Sequence, residues 1–325
     1  MEEQDRELFQ RELDSFIPPR IFDAHAHLYE VSHFTGEVPP LVRAGPARAD
    51  YATFRARMDE LHPGRSCDGL FFGFPAAGVD FDRANSFLAG EVRYSRGSHA
   101  LMLVHPGMDP EFIRETVRRD GFAGLKCYHV FSSERPTFQA AIPSYLPEGQ
   151  IRIAHEEGLA VMLHMVRSRA LADPVNQQDI RRYCTRYPNM RLVLAHAARG
   201  FNPHHTIEGI ESLRGLGNVW CDTSAVTEAG ALEAILNVLG PDRLLYGADC
   251  PVSHMRGRCV AIGDSFLWLS AENVRWGAEY GDVRPSLVGL ESLRVLKVAC
   301  RHARLTDSQV EAIFHHNAVR LLAGH

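Results

Sequence analysis

The sequence predicts a closed barrel of eight parallel strands, each followed by a helix, on three observations. Eight short apolar runs, bounded by Gly, Pro or charged residues, occur across residues 20–248. Helical patterns alternate with them, as βα units require. The polar residues with chemistry to offer collect at the C-terminal ends of the runs, the catalytic face of such a barrel. A doubly wound open sheet produces the same local alternation, and periodicity alone does not separate the two.

In chain order, an amphipathic helix is expected over residues 2–15, closed by Pro18-Pro19. The apolar runs are 20–28, 69–74, 100–105, 123–130, 159–166, 191–197, 219–224 and 244–248. They are almost continuously hydrophobic, as strands covered on both faces should be. Helices are expected over 109–117, where Asp109 caps and Pro110 opens the first turn, and over 150–157, 178–187, 207–213 and 231–239. Residues 29–65 and 251–285 are too long for minimal connections. Long connections of this kind are commonly functional, so both read as substrate-covering loops, with surface elaboration or an oligomer contact as the alternative. The whole chain, residues 1–325, is expected to be one domain.

Composition narrows the partners. The chain is 45% hydrophobic and 23% charged with a formal net charge of −5, an ordinary globular balance with no basic footprint for nucleic acid. No run approaches the roughly 20 apolar residues of a membrane span. The first residues, Met1-Glu2-Glu3-Gln4-Asp5, are acidic where a signal peptide would be basic, so a cytoplasmic location is expected. The seven cysteines form no CxxC pair and read as reduced, buried thiols. The 17 histidines stand out, and the question is which of them converge.

The first run holds His25 and His27 at i and i+2, a spacing that points both imidazoles to one face of a strand. Alone, such a pair is more often two solvated or core histidines than half of a metal site. The ends of other runs add Lys126, His164, His196 and Asp249. Several imidazoles and one carboxylate, brought together from strands distant in sequence, are what a divalent metal with an open water position requires.

These residues sit in the motifs Phe22-Asp23-Ala24-His25-Ala26-His27, Gly124-Leu125-Lys126, Val161-Met162-Leu163-His164, Leu194-Ala195-His196, Leu245-Tyr246-Gly247-Ala248-Asp249-Cys250-Pro251 and the terminal Ile313-Phe314-His315-His316-Asn317. In that order, across nearly the whole chain, they resemble the amidohydrolase superfamily. The likeness is to the amidohydrolase-2 branch of metal-dependent TIM-barrel hydrolases and aminocarboxymuconate semialdehyde decarboxylase-like enzymes. The resemblance implies a metal held by His25, His27, His164 and Asp249, with Asp249 also the general base, and His196 as a ligand to a second ion or a free proton-shuttling imidazole. Lys126 would either be carboxylated and bridge two ions or remain an ammonium that holds a substrate carboxylate. Zinc is expected ahead of manganese, iron or cobalt.

The resemblance implies hydrolysis of an amide, lactone or related electrophilic carbon of a small molecule by a homo-oligomer. The rival activity is non-oxidative decarboxylation of a conjugated or aromatic acid on one ion. Tyr128, two residues past Lys126, is a candidate substrate contact or a core tyrosine. Arg199, Arg256, Arg55 and Arg258 are candidates to grip an anionic substrate by bidentate contact. His204 and His205 are expected to be solvated or to cap a helix. His315, His316, Asn317 and Arg320 belong to an extra C-terminal helix packed beneath the barrel.

Overall fold

The computed structural model describes residues 1–275 and 283–323. Positions 276–282 of the long segment 251–285, and positions 324–325 of the expected domain, lie outside the described residues. The strands are β1 (Arg20–His27), β2 (Tyr29–Glu30), β3 (Arg48–Ala49), β4 (Ser66–Phe72), β5 (His99–Leu103), β6 (Gly124–Tyr128), β7 (Ala160–His164), β8 (Arg191–Leu194), β9 (Val219–Asp222), β10 (Leu244–Leu245), β11 (Gly257–Ile262) and β12 (Ser265–Ser270).

Strands β1 and β4 to β10 form one parallel sheet in sequence order. Its last strand returns to its first. Ala24 donates its N–H to the Tyr246 carbonyl (2.8 Å), Asp249 to that of His25 (2.8 Å) and His27 to that of Cys250 (2.9 Å). The fold is thus a (β/α)8 TIM barrel, and the doubly wound alternative is ruled out by this closure.

Local chemistry explains the intervening helices. Asp109 accepts from the N–H of Glu111 and Phe112 (2.8 and 3.1 Å) ahead of helix Pro110–Asp120, and Asp173 from that of Val175 (2.9 Å) ahead of Pro174–Arg186. In both, proline follows the cap, where its missing N–H is no loss. Gly124 opens β6 because a Cβ there would stand 2.0 Å from the Ala160 carbonyl oxygen. The strand carrying Lys126 can approach β7 only without a side chain at that point.

Three expectations change. The run 191–197 stops as a strand at Leu194, and the run 244–248 gives only two ladder residues, so His196 and Asp249 follow their strands rather than end them. The two long connections are folded structure. Residues 29–65 contain the antiparallel pair β2–β3 and the helix Tyr51–Leu61, and residues 251–285 contain the antiparallel ribbon β11–β12. The ribbon reverses at Gly263-Asp264 and lays Phe266 and Trp268 against Phe201, with ring centroids 5.1 and 5.5 Å apart. Finally, His205 is neither solvated nor a cap: it is buried, with Nε2 2.9 Å from Asp264 Oδ1 at the ribbon turn.

The C-terminal helical segment is as expected. The Ile313 carbonyl accepts from the Tyr246 N–H (2.9 Å), and Asn317 donates to the carbonyls of Pro241 and Leu244 (2.8 Å each), tying it to β10. All seven cysteines are unpaired and buried, and burial pushes the thiols of Cys127, Cys184, Cys250, Cys259 and Cys300 up to about 12. Among the described residues no helix is long and apolar enough to cross a membrane.

Gly124→Ala should force β6 away from β7 and destabilise the fold by about 1–3 kcal/mol, the range for overpacked interiors. Urea denaturation followed by circular dichroism measures this, and an undiminished midpoint would contradict the close approach.

Candidate metal centre

Alternation along β1 turns His25 and His27 into the barrel mouth, where both are buried. Each ring is oriented through Nδ1. His25 Nδ1 lies 2.9 Å from Asp222 Oδ2, and His27 Nδ1 lies 3.2 Å from the Gly73 carbonyl oxygen. Burial lowers the pKa of both, that of His25 to about 3, with the Lys126 charge adding to the effect. At neutral pH the rings are therefore uncharged. A carbonyl only accepts, so the His27 proton sits on Nδ1 and Nε2 presents a lone pair.

Both Nε2 atoms face one carboxylate oxygen, Asp249 Oδ1, at 3.6 Å from His25 and 3.4 Å from His27. Burial opposes ionisation of Asp249, and its carboxyl is held well below the usual range by positive charge at His25 and His196 and a hydrogen bond from His27; with those rings neutral, a bound cation would supply that charge instead. Lone pairs turned toward a carboxylate repel one another unless a cation stands between them. Ligands about 2.0–2.1 Å from a tetrahedral ion lie about 3.4 Å apart, so the spacing and the donor chemistry fit zinc or a similar divalent ion. Asp249 itself adopts φ 62°, a conformation that costs a non-glycine residue about 1 kcal/mol and that its backbone bond to His25 helps to hold.

His196 stands in a left-handed turn. Residues His196, Ala197, Ala198 and Arg199 all have φ between 52° and 61°, a run that L-residues rarely adopt. Asp222 Oδ1 accepts from the His196 N–H at 2.8 Å, the Gly200 N–H donates to the His196 carbonyl at 2.6 Å and Thr206 donates to the Ala197 carbonyl at 2.9 Å. The turn brings the His196 ring to 4.8 Å from that of His25 and stacks it on Phe201 at 5.1 Å. Its Nδ1 faces the Ser224 carbonyl at 3.0 Å.

Lys126 is fully buried, with Nζ 4.2 Å from the Phe72 ring centre. Burial lowers its pKa to about 8, against the pull of Asp222 and Asp249. His164 lies beyond His196, its ring 4.9 Å away and 4.5 Å from Tyr128, with Nδ1 buried and lacking a partner. Burial, then the neighbouring His196, keeps it neutral. Two groups of possible ligand atoms converge within 4.8 Å among the described residues: His25, His27 and Asp249, and His25, His196 and Asp222. The second shares the hydrogen-bonded Nδ1 side of His25 and orients it. His164 and Lys126 stand outside both groups. All six expected residues and Tyr128 line one cavity of about 370 Å3, with an apolar wall that includes Leu41, Phe74, Phe201, Met255 and Trp268.

The arginines do not reach this cavity. Arg256 is paired with Asp5 (2.6 Å) and Glu2 (2.9 Å), and Arg199 donates to the Arg167 carbonyl (3.0 Å) with its guanidinium 5.2 Å from the Phe266 ring centre. Arg55 bonds the Cys67 carbonyl and Asp59, and Arg258 bonds the Thr227 carbonyl. These long side chains are consumed as ties between segments, which a residue's place in the sequence does not disclose. Conversely, sequence reasoning misses Asp222, Ser224 and Asp23 as site residues. Asp23 accepts from the N–H of His25 (2.9 Å) and Ala248 (2.8 Å), and burial raises its carboxyl to about 8. Asp222 lies near the end of the run 219–224, so the end-of-strand rule that picks His164 could also find it.

Residues 22–323 match the profile of the family described as Amidohydrolase. A curated L-fucono-1,5-lactonase of Burkholderia ambifaria is 29% identical over 126 residues, 34% of this chain and 42% of that protein, so the match spans about two fifths of the relative's length. Among solved structures, an amidohydrolase from Burkholderia multivorans with bound HEPES superposes with a TM-score of 0.62 at 14% identity, covering 93% of this chain and 99% of that one. A second crystal form of an amidohydrolase from that organism carries zinc. The 5-carboxyvanillate decarboxylase from Sphingomonas paucimobilis gives 0.55 at 16% identity over 94% and 99% of the two chains. At these identities the solved structures establish likeness of fold.

Asp222→Asn would set an amide N–H against the His25 Nδ1 proton and drive that proton to Nε2. Affinity for zinc should fall about 10–100-fold, as for other lost partners of ligand histidines, with the barrel still folded. Chelator competition on protein checked by circular dichroism measures it, and unchanged affinity would refute the orienting role.

Proposed function

The chain belongs to the Amidohydrolase family, and from that premise we propose that it is a metal-dependent hydrolase of a small lactone, amide or related electrophile. The observation that carries this reading is the ionised Asp249 carboxylate, open to the cavity and 3.4–3.6 Å from two neutral imidazole nitrogens. A divalent ion held by His25, His27 and Asp249, with zinc the first choice, would acidify a water molecule and draw electron density from the scissile carbonyl.

The remaining steps belong to the protein. Asp249 takes the proton of the attacking water as the C–O bond forms, then returns it to the leaving oxygen or nitrogen as the old bond breaks. Lys126, buried 4.2 Å from the Phe72 ring centre, faces the cavity as the one Lys or Arg on its wall among the described residues. It offsets negative charge developing on the substrate oxygen. His196 and Tyr128 line the same wall and orient the substrate. The apolar wall excludes water from the rest of the cavity.

One observation favours a second activity. A single cation set in an aromatic-walled cavity also suits a monocarboxylate ring, and Lys126 would then hold the carboxylate of an aromatic acid that is decarboxylated. Turnover of a lactone and amide panel, compared with CO2 release from aromatic acids, separates the two.

Asp249→Asn should retain much of the metal yet lose about 10²–10⁴ in turnover, the usual contribution of a positioned base. An active, metal-replete variant would remove Asp249 from that role. One ion per chain is expected whether or not the protein is produced with bicarbonate. Two ions by atomic absorption would instead make Lys126 a carboxylated bridge.

A further inference from the structure

The cavity at the barrel mouth, of about 370 Å3, has a polar floor and an apolar wall. His25, His27, Lys126, His196 and Asp249 make the floor and are only 1–8% exposed. Leu41, Phe74, Val252, Met255 and Trp268 line the same space, and each is partly exposed. A molecule that enters therefore offers one group to the floor and lays the rest of itself against hydrocarbon and aromatic rings. Beyond the floor, its polar partners among the described residues are the partly exposed Tyr128 and His164, whose ring centroids are 4.5 Å apart.

The ribbon fixes the aromatic part of this wall. Alternation along β12 turns Phe266 and Trp268 to the same face, opposite Ala261 and Cys259 of β11. Both rings meet Phe201, at 5.1 and 5.5 Å between centroids, and Phe201 stacks on His196 at 5.1 Å. The ribbon is anchored at two places. Asn202 donates to the carbonyls of Gly263 and Ser265 (3.0 and 2.9 Å) at the turn, and Thr227 Oγ1 donates to the Cys259 carbonyl (2.7 Å) and accepts from the Cys259 N–H (3.1 Å) along β11. Trp268 is thus held on the wall before any ligand arrives. Phe74 adds a second ring beside His27, with centroids 5.1 Å apart.

Such a wall selects against polar substrates. A sugar lactone carries several hydroxyls, and each one buried without a partner costs roughly tenfold in affinity. Among the described residues no Arg, Asn, Gln, Ser or Thr lines the cavity to receive them, and a dicarboxylate would find no second cation. Aromatic rings, by contrast, meet Trp268 and Phe74 edge-on or offset with a gain beyond simple burial. We infer that the substrate is an uncharged lactone or ester with an aromatic body, and that Trp268 determines this choice. In its hydrolysis water gives its OH to the acyl carbon and its other proton to the departing oxygen, leaving a carboxylic acid and a phenol or alcohol. The bond broken rests on the hydrolase reading, and the aromatic body rests on the wall alone.

The test offers the zinc-loaded, full-length protein dihydrocoumarin, gluconolactone and a pyrone dicarboxylate as substrates. Chroman, which has the rings of dihydrocoumarin without the scissile bond, serves as a calorimetric binding probe. Dihydrocoumarin should be turned over with a kcat/KM at least a hundredfold above the other two, about two unpartnered hydroxyls' worth. Trp268→Ala should raise its KM at least tenfold with kcat and zinc content held, and Trp268→Phe should recover most of the loss. Met255→Gln keeps the length of the side chain and adds an amide to the wall, so it should weaken chroman about tenfold. Preference for gluconolactone or the dicarboxylate overturns the aromatic body and leaves the hydrolase reading standing. Failure of chroman to bind, or equal affinity in the wild type, Trp268→Ala and Met255→Gln, overturns it as well. Should no lactone be hydrolysed while chroman binds once per chain and is weakened by Trp268→Ala, the hydrolase reading fails and the aromatic body stands.

Discussion

Asp222 accepts hydrogen bonds at the barrel mouth from His25 Nδ1, the N–H of His196, the N–H of Ser224 and the Ser224 hydroxyl. A buried carboxylate survives as an ion only with such a set, because transfer from water to an apolar interior is otherwise prohibitive. Burial works against its ionisation and His25 leads the groups that overcome it. The rest of the candidate metal centre depends on that charge. One oxygen keeps the His25 proton on Nδ1 and so frees Nε2 for Asp249. The other anchors the start of the left-handed turn, whose four residues each cost about 1–2 kcal/mol in that conformation, and thereby brings the His196 ring beside the same centre.

How much of this the sequence discloses differs by kind of signal. The barrel is legible because eight buried strands leave eight apolar runs, and their C-terminal polar residues report the catalytic face. The ends are less legible. Leu194 to His196 reads as continuous strand, since nothing in Ala195-His196-Ala197-Ala198 signals positive φ, and only the tertiary bonds from Asp222 and Thr206 impose it. The two-residue β10 cannot be foreseen because its closure bonds belong to Tyr246, Cys250 and Asp249, outside the ladder. The ribbon is legible in principle. Two short apolar runs, Cys259 to Ile262 and Phe266 to Leu269, flank Gly263-Asp264, and that dipeptide is a hairpin turn signal, but the length of the connection favours a loop over a hairpin.

At the site, short side chains on strands behave as their spacing requires, and long ones in connections do not. His25 and His27 have little freedom once β1 is fixed. Arg199 and Arg256 have several rotatable bonds, and each finds a partner away from the cavity: a backbone carbonyl and an aromatic ring for the first, Asp5 and Glu2 for the second. The cavity is left with Lys126 as its cation and an aromatic wall that the ribbon helps to build. The apolar wall of the cavity thus draws on β12 and the segment after β1, while His25, His27, Lys126 and His164 come from the barrel strands.

The seven cysteines have a use unconnected with catalysis. Each thiol is buried, and none offers appreciable thiolate at neutral pH. An alkylating reagent can therefore reach one only when the structure around it opens. The cysteines are spread over β4, β6, the helix Pro174–Arg186, β9, the turn beside Asp249, the ribbon and the helix Val288–His302. Their alkylation rates would rank the local opening energies of those parts, a map of where the barrel breathes that the chain carries without any added label.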